Sequence, residues 1–259
     1  VRKVVGSGCG SAILKEPERV SETVKLAKAS TSKPLSAKIR LGFTRDQVNV
    51  QDTVTRLCAE SVDMFTIHGR TRSEGYSTPC DKPGIHTGIE SYKAQTNDKK
   101  IVTVGNGDVF CATSARQMVT ETGCDAVMVS RGALGNPWVF KQILEQNHNH
   151  PNFSEWLDVV LRHIAYQEEF FGNTPLAAIL MRKHLLWYTK GFPESKALRE
   201  SLNRVETLNE AKENLQTFAA RIGKDCVRHA CTNAKQERYD YDPKYEMDRV
   251  HDRGVDDIG

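Results

Sequence analysis

The chain has 259 residues, 39% of them hydrophobic, enough for one barrel-sized domain or two smaller ones. Its formal charge of +3 is too small to require a polyanionic partner. The sequence has no apolar run of about 18 residues to cross a membrane and no basic-then-apolar leader, so a cytoplasmic protein with no membrane partner is expected.

Seven cysteines scattered without framework spacing point to reduced thiols rather than disulfides. In chain order, residues 17–29 place Val20, Val24 and Ala27 on one helical face behind Pro17. A strand over 35–41 follows, then a helix over 46–61 with Val50, Val54, Leu57 and Cys58 in line, then a buried strand over 63–68. A short helix at 91–94 precedes a strand over 101–104. A longer helix over 114–122, stopped by Gly123, precedes the strand 126–129.

Beyond Gly135-Asn136-Pro137 the strands cease, and residues 147–152 read as a linker. Helices are predicted over 154–171 with a Ser154 cap, 175–188, 195–203 and 206–221. From Lys224 the chain is charged and nearly free of aliphatic side chains, which predicts a polar, disordered tail. Cys226, His229 and Cys231 lie in that tail with no second ligand pair, and no metal site is assigned to them.

Strands alternating with helices of similar length predict parallel βα units, whose ligands gather at the carboxyl ends of the strands. A closed barrel of this kind needs eight strands, and four are found. The expected fold is therefore α/β: the C-terminal half of a TIM (β/α)8 barrel, about four βα units, followed by an all-α helical domain. The expected boundaries are a partial barrel over 1–146, a helical domain over 152–222 and a tail over 223–259. An open four-stranded sheet with helices on both faces is the other architecture these elements fit.

Each strand end carries chemistry. Period-two alternation puts Lys38 and Arg40 on one face, opposite Ile39. Two cations on a buried face call for an anionic partner, whereas at a solvated strand end they need none. His68 closes the next strand, ahead of the donor-rich Gly69-Arg70-Thr71-Arg72. Gly105-Asn106-Gly107-Asp108 lets backbone N–H groups approach a phosphate, and Ser130-Arg131-Gly132 adds a guanidinium at the following strand end. Between 181 and 204, Arg182, Lys183, His184, Lys190, Lys196, Arg199 and Arg204 outnumber Glu194 and Glu200. That balance suits either a phosphate backbone or a solvated helical face.

The wording of these segments resembles the tRNA-dihydrouridine synthase family, in that family's order: Lys38-Ile39-Arg40-Leu41-Gly42, His68-Gly69-Arg70-Thr71-Arg72, Val104-Gly105-Asn106-Gly107-Asp108, and the run from Ser130 to Trp138. Arg182-Lys183-His184-Leu185, with Trp187-Tyr188 and Lys190-Gly191, is similar to the family's helical domain, and the resemblance runs from Val1 to about Arg221. It implies an enzyme that holds FMN and uses NADPH to reduce the 5,6 double bond of particular uridines in tRNA. By that resemblance Lys38 and His68 contact the isoalloxazine, and Asn106, Gly107, Asp108, Ser130 and Arg131 hold the ribityl phosphate. Arg40 faces the uracil, Arg70, Arg72 and Tyr76 line the substrate side, and Arg182 and Lys183 grip the tRNA backbone, with the target base extruded from its stack.

Two departures stand out. Ser130 occupies a position where glycine is usual. The Gly-Cys-Pro element that supplies the family's proton-donating cysteine lies ahead of the segment matched by Val1–Gly8, so no catalytic residue is assigned within this chain, and an incomplete form of the enzyme is expected. Cys9, in Gly8-Cys9-Gly10, is the alternative donor considered and set aside. No obligate protein partner is evident. Two further readings are a non-catalytic tRNA- or RNA-binding remnant of such an enzyme, and a different FMN barrel acting on a small molecule. The helical region beyond 154 argues against the last.

Overall fold

A computed structural model describes residues 2–95 and 100–223. The elements run α1 (Arg2–Gly6), a 3-10 helix (Gly10–Lys15), α2 (Glu18–Ala29), β1 (Ser36–Arg40), α3 (Val50–Ala59), β2 (Met64–His68), α4 (Lys82–Lys93), β3 (Val102–Asn106), α5 (Ala112–Thr122), β4 (Ala126–Met128), a 3-10 turn (Arg131–Ala133) and α6 (Val139–Leu144). Four further helices follow: α7 (Phe153–Phe171), α8 (Pro175–Thr189), α9 (Ser195–Leu202) and α10 (Leu208–Ile222). The tail expected from Lys224, with Cys226, His229 and Cys231, lies outside the described residues. Among the described residues no helix is long and apolar enough to cross a membrane.

All four expected strands form, and they pair in parallel in chain order, β1-β2-β3-β4. Alternation decides what each face meets. Ile39, Phe65 and Ile67 point into a core with Val50, Val54 and Leu57 of α3, Ile85 and Ile89 of α4, and Ala115 and Met118 of α5. Each such side chain removed from water contributes roughly 1.5–3 kcal/mol. The opposite face carries Lys38 and Arg40, Thr66 and His68, Val104 and Asn106, and Ala126 and Met128 in matched rows. None of these eight belongs to that core, and Lys38 and Ala126 are exposed. Among the described residues these helices cover one face, which differs from the alternative of an open sheet with helices on both; on the other face Thr66, His68, Val104 and Asn106 are nonetheless buried.

Helix α4 is longer than the short helix expected at 91–94. The helix includes Gly84 and Gly88, and a Cβ on Gly88 would stand 2.7 Å from Ile67 Cδ1 and 2.8 Å from Val50 Cγ2. The glycine is there to let the helix lie close on the sheet. Asp81 caps its start by accepting from the Gly84 N–H at 2.8 Å. In α7 the cap is Asn152 rather than Ser154: its side chain accepts from the Glu155 N–H, and Glu155 accepts in return from the Asn152 N–H.

Helices α7 to α10 enclose a second cluster, in which Phe153, Trp156, Phe192 and Phe218 pack ring on ring. The Trp156 Nε1–H donates to the Tyr188 carbonyl at 3.1 Å. Trp138 packs against this cluster from the segment after β4. A Cβ on Gly135 would come within 2.4 Å of the Trp187 carbonyl carbon, so the loop following β4 lies directly on the end of α8.

Candidate functional site at the strand ends

The register brings the expected residues into one row. Arg40 pairs with His68, His68 with Asn106, and Asn106 with Met128, all at the carboxyl ends of their strands. Lys38 stands one row back, beside Thr66. The loops that follow are tied to one another: the Leu41 N–H donates to the Arg70 carbonyl at 3.3 Å, and the Gly69 N–H to the Asn106 carbonyl at 3.0 Å. The loop after β2 is closed at its neck by the Asp81 N–H on the Gly69 carbonyl at 2.7 Å.

Asp108 is the hub of the site. Its carboxylate accepts from Arg70 Nη2 at 2.9 and 2.8 Å, from Arg131 Nη2 at 2.8 Å and from the Cys80 N–H at 2.9 Å. Gly107 and Asp108 turn the chain through left-handed backbone, with φ of 126° and 51°. A Cβ on Gly107 would stand 2.6 Å from Cys80 Sγ and 3.3 Å from His68 Cδ2, so only glycine fits. The two arginines hold the Asp108 carboxyl below its ordinary range, in spite of the burial that opposes ionisation.

Arg70 is 1% exposed, and its guanidinium also donates through Nε to the Thr78 carbonyl at 2.7 Å and lies 3.3 Å from His68 Nε2. These partners make it a strut of the loop, which departs from the substrate-facing position expected from sequence. Arg131 lies under the Tyr76 ring, 4.2 Å from its centroid, with Phe110 at 5.4 Å. Arg40 Nη1 donates to the Thr71 carbonyl at 2.7 Å. Arg72 is exposed and stacks over Phe43 at 5.5 Å. Asn106, 3% exposed, uses its Nδ2 to bind the Met128 carbonyl at 2.8 Å and Ser130 Oγ at 3.3 Å, which joins β3 to the loop after β4.

Lys38, Arg40, Arg70 and Arg131 therefore surround this end of the sheet against the Asp108 carboxylate, while Glu74 is paired with Arg45. Although Lys38 as a residue is exposed, partial burial at its ammonium end lowers it below its ordinary value, and the Arg40 charge adds to the effect. His68, 8% exposed, is pushed down to about 3 by burial first and then by the charges of Arg40, Lys38 and Arg70. Its ring is neutral at physiological pH. The row presents fixed positive charge around a neutral imidazole, an arrangement that suits an anionic ligand with a polar ring system.

Of the helical residues expected at a backbone contact, Lys183 is exposed. Arg182 instead turns inward and donates through Nε and Nη2 to the Val205 carbonyl at 3.0 and 2.6 Å. Cys9 is exposed, its Sγ 3.8 Å from the Ser7 carbonyl. Cys80 was not singled out by sequence: its thiol, raised to about 11 by burial and then by Asp108, packs between Gly69 and Gly107. No local pattern marks it, since its partners come from other loops.

The dihydrouridine synthase family model matches residues 1–223. The chain is similar to a probable tRNA-dihydrouridine synthase 1 of Synechocystis, 33% identical over 220 residues that cover 83% of this chain and 59% of that protein. It is also similar to a probable tRNA-dihydrouridine synthase of Rickettsia conorii, 29% identical over 84% of this chain and 65% of the relative. The tRNA-dihydrouridine synthase B of Pasteurella multocida is 29% identical over 84% of this chain and 64% of its own length. The chain thus spans about three-fifths of the length of the curated relatives it matches.

Proposed function

Because the chain belongs to the dihydrouridine synthase family, we propose that its strand ends are the flavin-facing half of a (β/α)8 barrel that reduces uridine in tRNA. The carrying observation is the row Arg40–His68–Asn106, set at one level by the parallel register and ringed by cations. The face behind that row packs against none of helices α3 to α5, which supports the half-barrel reading, since parallel sheets are normally covered on both faces.

The residues present fit FMN. A dianionic phosphate finds the Arg131 guanidinium, which Asp108 holds in place, beside the left-handed turn at Gly107-Asp108. When bound, FMN supplies hydride transfer, with NADPH as the external reductant. Lys38 places a cation beside an electron-rich ring and favours its reduced form. His68, neutral, acts as a hydrogen-bonding group and not as a charge. Arg40 stands next to His68, where it would face a pyrimidine, and Tyr76 stacks on Arg131 of the following strand end. Lys183 and the neighbouring cations of α8 and α9 meet the tRNA backbone, and the target base leaves its stack to reach the site.

The test is to titrate the full chain with FMN by fluorescence quenching, then supply NADPH and an unmodified tRNA transcript. Flavin binding is expected of this chain, and a mass gain of two hydrogens in the transcript where the other half of the barrel, with its proton-donating cysteine, is supplied. A colourless chain that binds tRNA with a steep salt dependence would replace this reading with that of a non-catalytic RNA-binding protein.

A further inference from the structure

We propose that Asp108 is a positioning residue, which clamps Arg70 so that Arg70 fixes the His68 ring with its one proton on Nδ1. This deepens the flavin reading, on which its second arm rests. A carboxylate aimed at a phosphate would repel it. Here the Asp108 oxygens are aimed at two guanidinium groups and a backbone N–H.

Arg70, 1% exposed, donates from Nη2 to both Asp108 oxygens and from Nε to the Thr78 carbonyl, and its Nη1 lies against His68. A guanidinium carries donors only. At 3.3 Å, His68 Nε2 is therefore the acceptor, and the neutral ring keeps its proton on Nδ1. Asp108 thereby fixes which ring nitrogen of His68 carries the proton, although it stands 38 residues away from Arg70 in sequence. The same carboxylate holds Arg131 beneath Tyr76, so one side chain orients both the ring-facing and the phosphate-facing groups.

The experiment uses the full chain with 15N-labelled histidine, as wild type and as Asp108→Asn. In the wild type, His68 should show a pyridine-type Nε2 and a pyrrole-type Nδ1. In Asp108→Asn, with the amide spectrum showing the fold intact, the two nitrogens should move toward a mixture of tautomers. FMN affinity should also fall about tenfold, as the loss of a charged hydrogen bond predicts. A purely electrostatic role predicts the reverse, because removal of a negative charge beside Arg131 would tighten an anion.

A wild-type Nε2–H tautomer, unchanged tautomers in Asp108→Asn, or tighter FMN binding by that variant would each overturn the proposal. Should Asp108→Asn fail to fold, Arg70→Lys tests the same link: its single ammonium keeps the charge at Asp108 but lacks the fork that reaches Asp108 and His68 from separate nitrogens, so the tautomer lock must be lost. If the wild type binds no FMN at all, the flavin reading fails, while the tautomer arm still decides the Asp108–Arg70–His68 link.

Discussion

Arg40 of β1 and His68 of β2 are register partners, which puts a permanent guanidinium one strand away from an imidazole that is 8% exposed. Neither burial nor that neighbour tolerates a proton on the ring, and Lys38 and Arg70 act in the same sense. The positive field of the site and the neutrality of its histidine therefore have one origin.

This has a consequence for stability. The unfolded chain takes up a proton on His68 near pH 6.5, while the folded chain refuses it down to about 3. Stability from this group is fully present above pH 6.5 and falls on acidification, by about 1.4 kcal/mol per pH unit over that window. His184, lowered to about 4 by burial, adds a loss of the same sign. Urea unfolding at pH 7.5, 6 and 5 checks it, and His68→Gln should have the shallower dependence. Equal slopes for the two proteins would refute it.

Gly107→Ala should cost about 1–3 kcal/mol, from left-handed strain and overpacking together. At φ 126° its new methyl would press on Cys80 Sγ at 2.6 Å, and Cys80 donates its N–H to Asp108. Thermal or urea midpoints read the loss, and an unchanged midpoint would mean that the loop relaxes freely.

The strand ends were legible because their cause is local: Lys38-Ile39-Arg40 alternates between a charged and an apolar face, and parallel pairing carries that alternation across the sheet. Helix α4 was not, because Gly84 and Gly88 mask its pattern, although Asp81 ahead of Pro83 was a readable start. The inward turn of Arg182 and the clamp on Arg70 were also hidden. Both depend on partners 23 and 38 residues away, and nothing in a basic residue's own neighbourhood says whether it will meet a carbonyl, a carboxylate or solvent.

Lys38→Met should leave the core intact, since Lys38 is exposed and stands outside the apolar cluster. It should weaken FMN binding about tenfold, the scale of one charge-assisted hydrogen bond. Removal of the Lys38 charge should also raise the His68 titration, because that charge contributes to its depression. Fluorescence quenching and histidine NMR read the two effects. Unaltered FMN affinity would remove Lys38 from the cofactor side.

Arg182 and Lys183 are adjacent but should fail differently. Arg182→Ala strips two donors from the Val205 carbonyl, whose residue is 3% exposed, and should cost about 1–3 kcal/mol of stability. Lys183→Ala removes an exposed cation, so its unfolding midpoint should stay put. If it meets a tRNA phosphate, the slope of log affinity against log salt should fall by about 0.7–0.9. Substituting both residues together would confuse lost packing with lost charge, so the single variants have to be compared. Weaker tRNA binding in Arg182→Ala with an unchanged midpoint would show that its guanidinium leaves Val205 to serve the RNA. A Lys183→Ala chain with an unaltered salt slope would move the backbone contact elsewhere on α8 and α9.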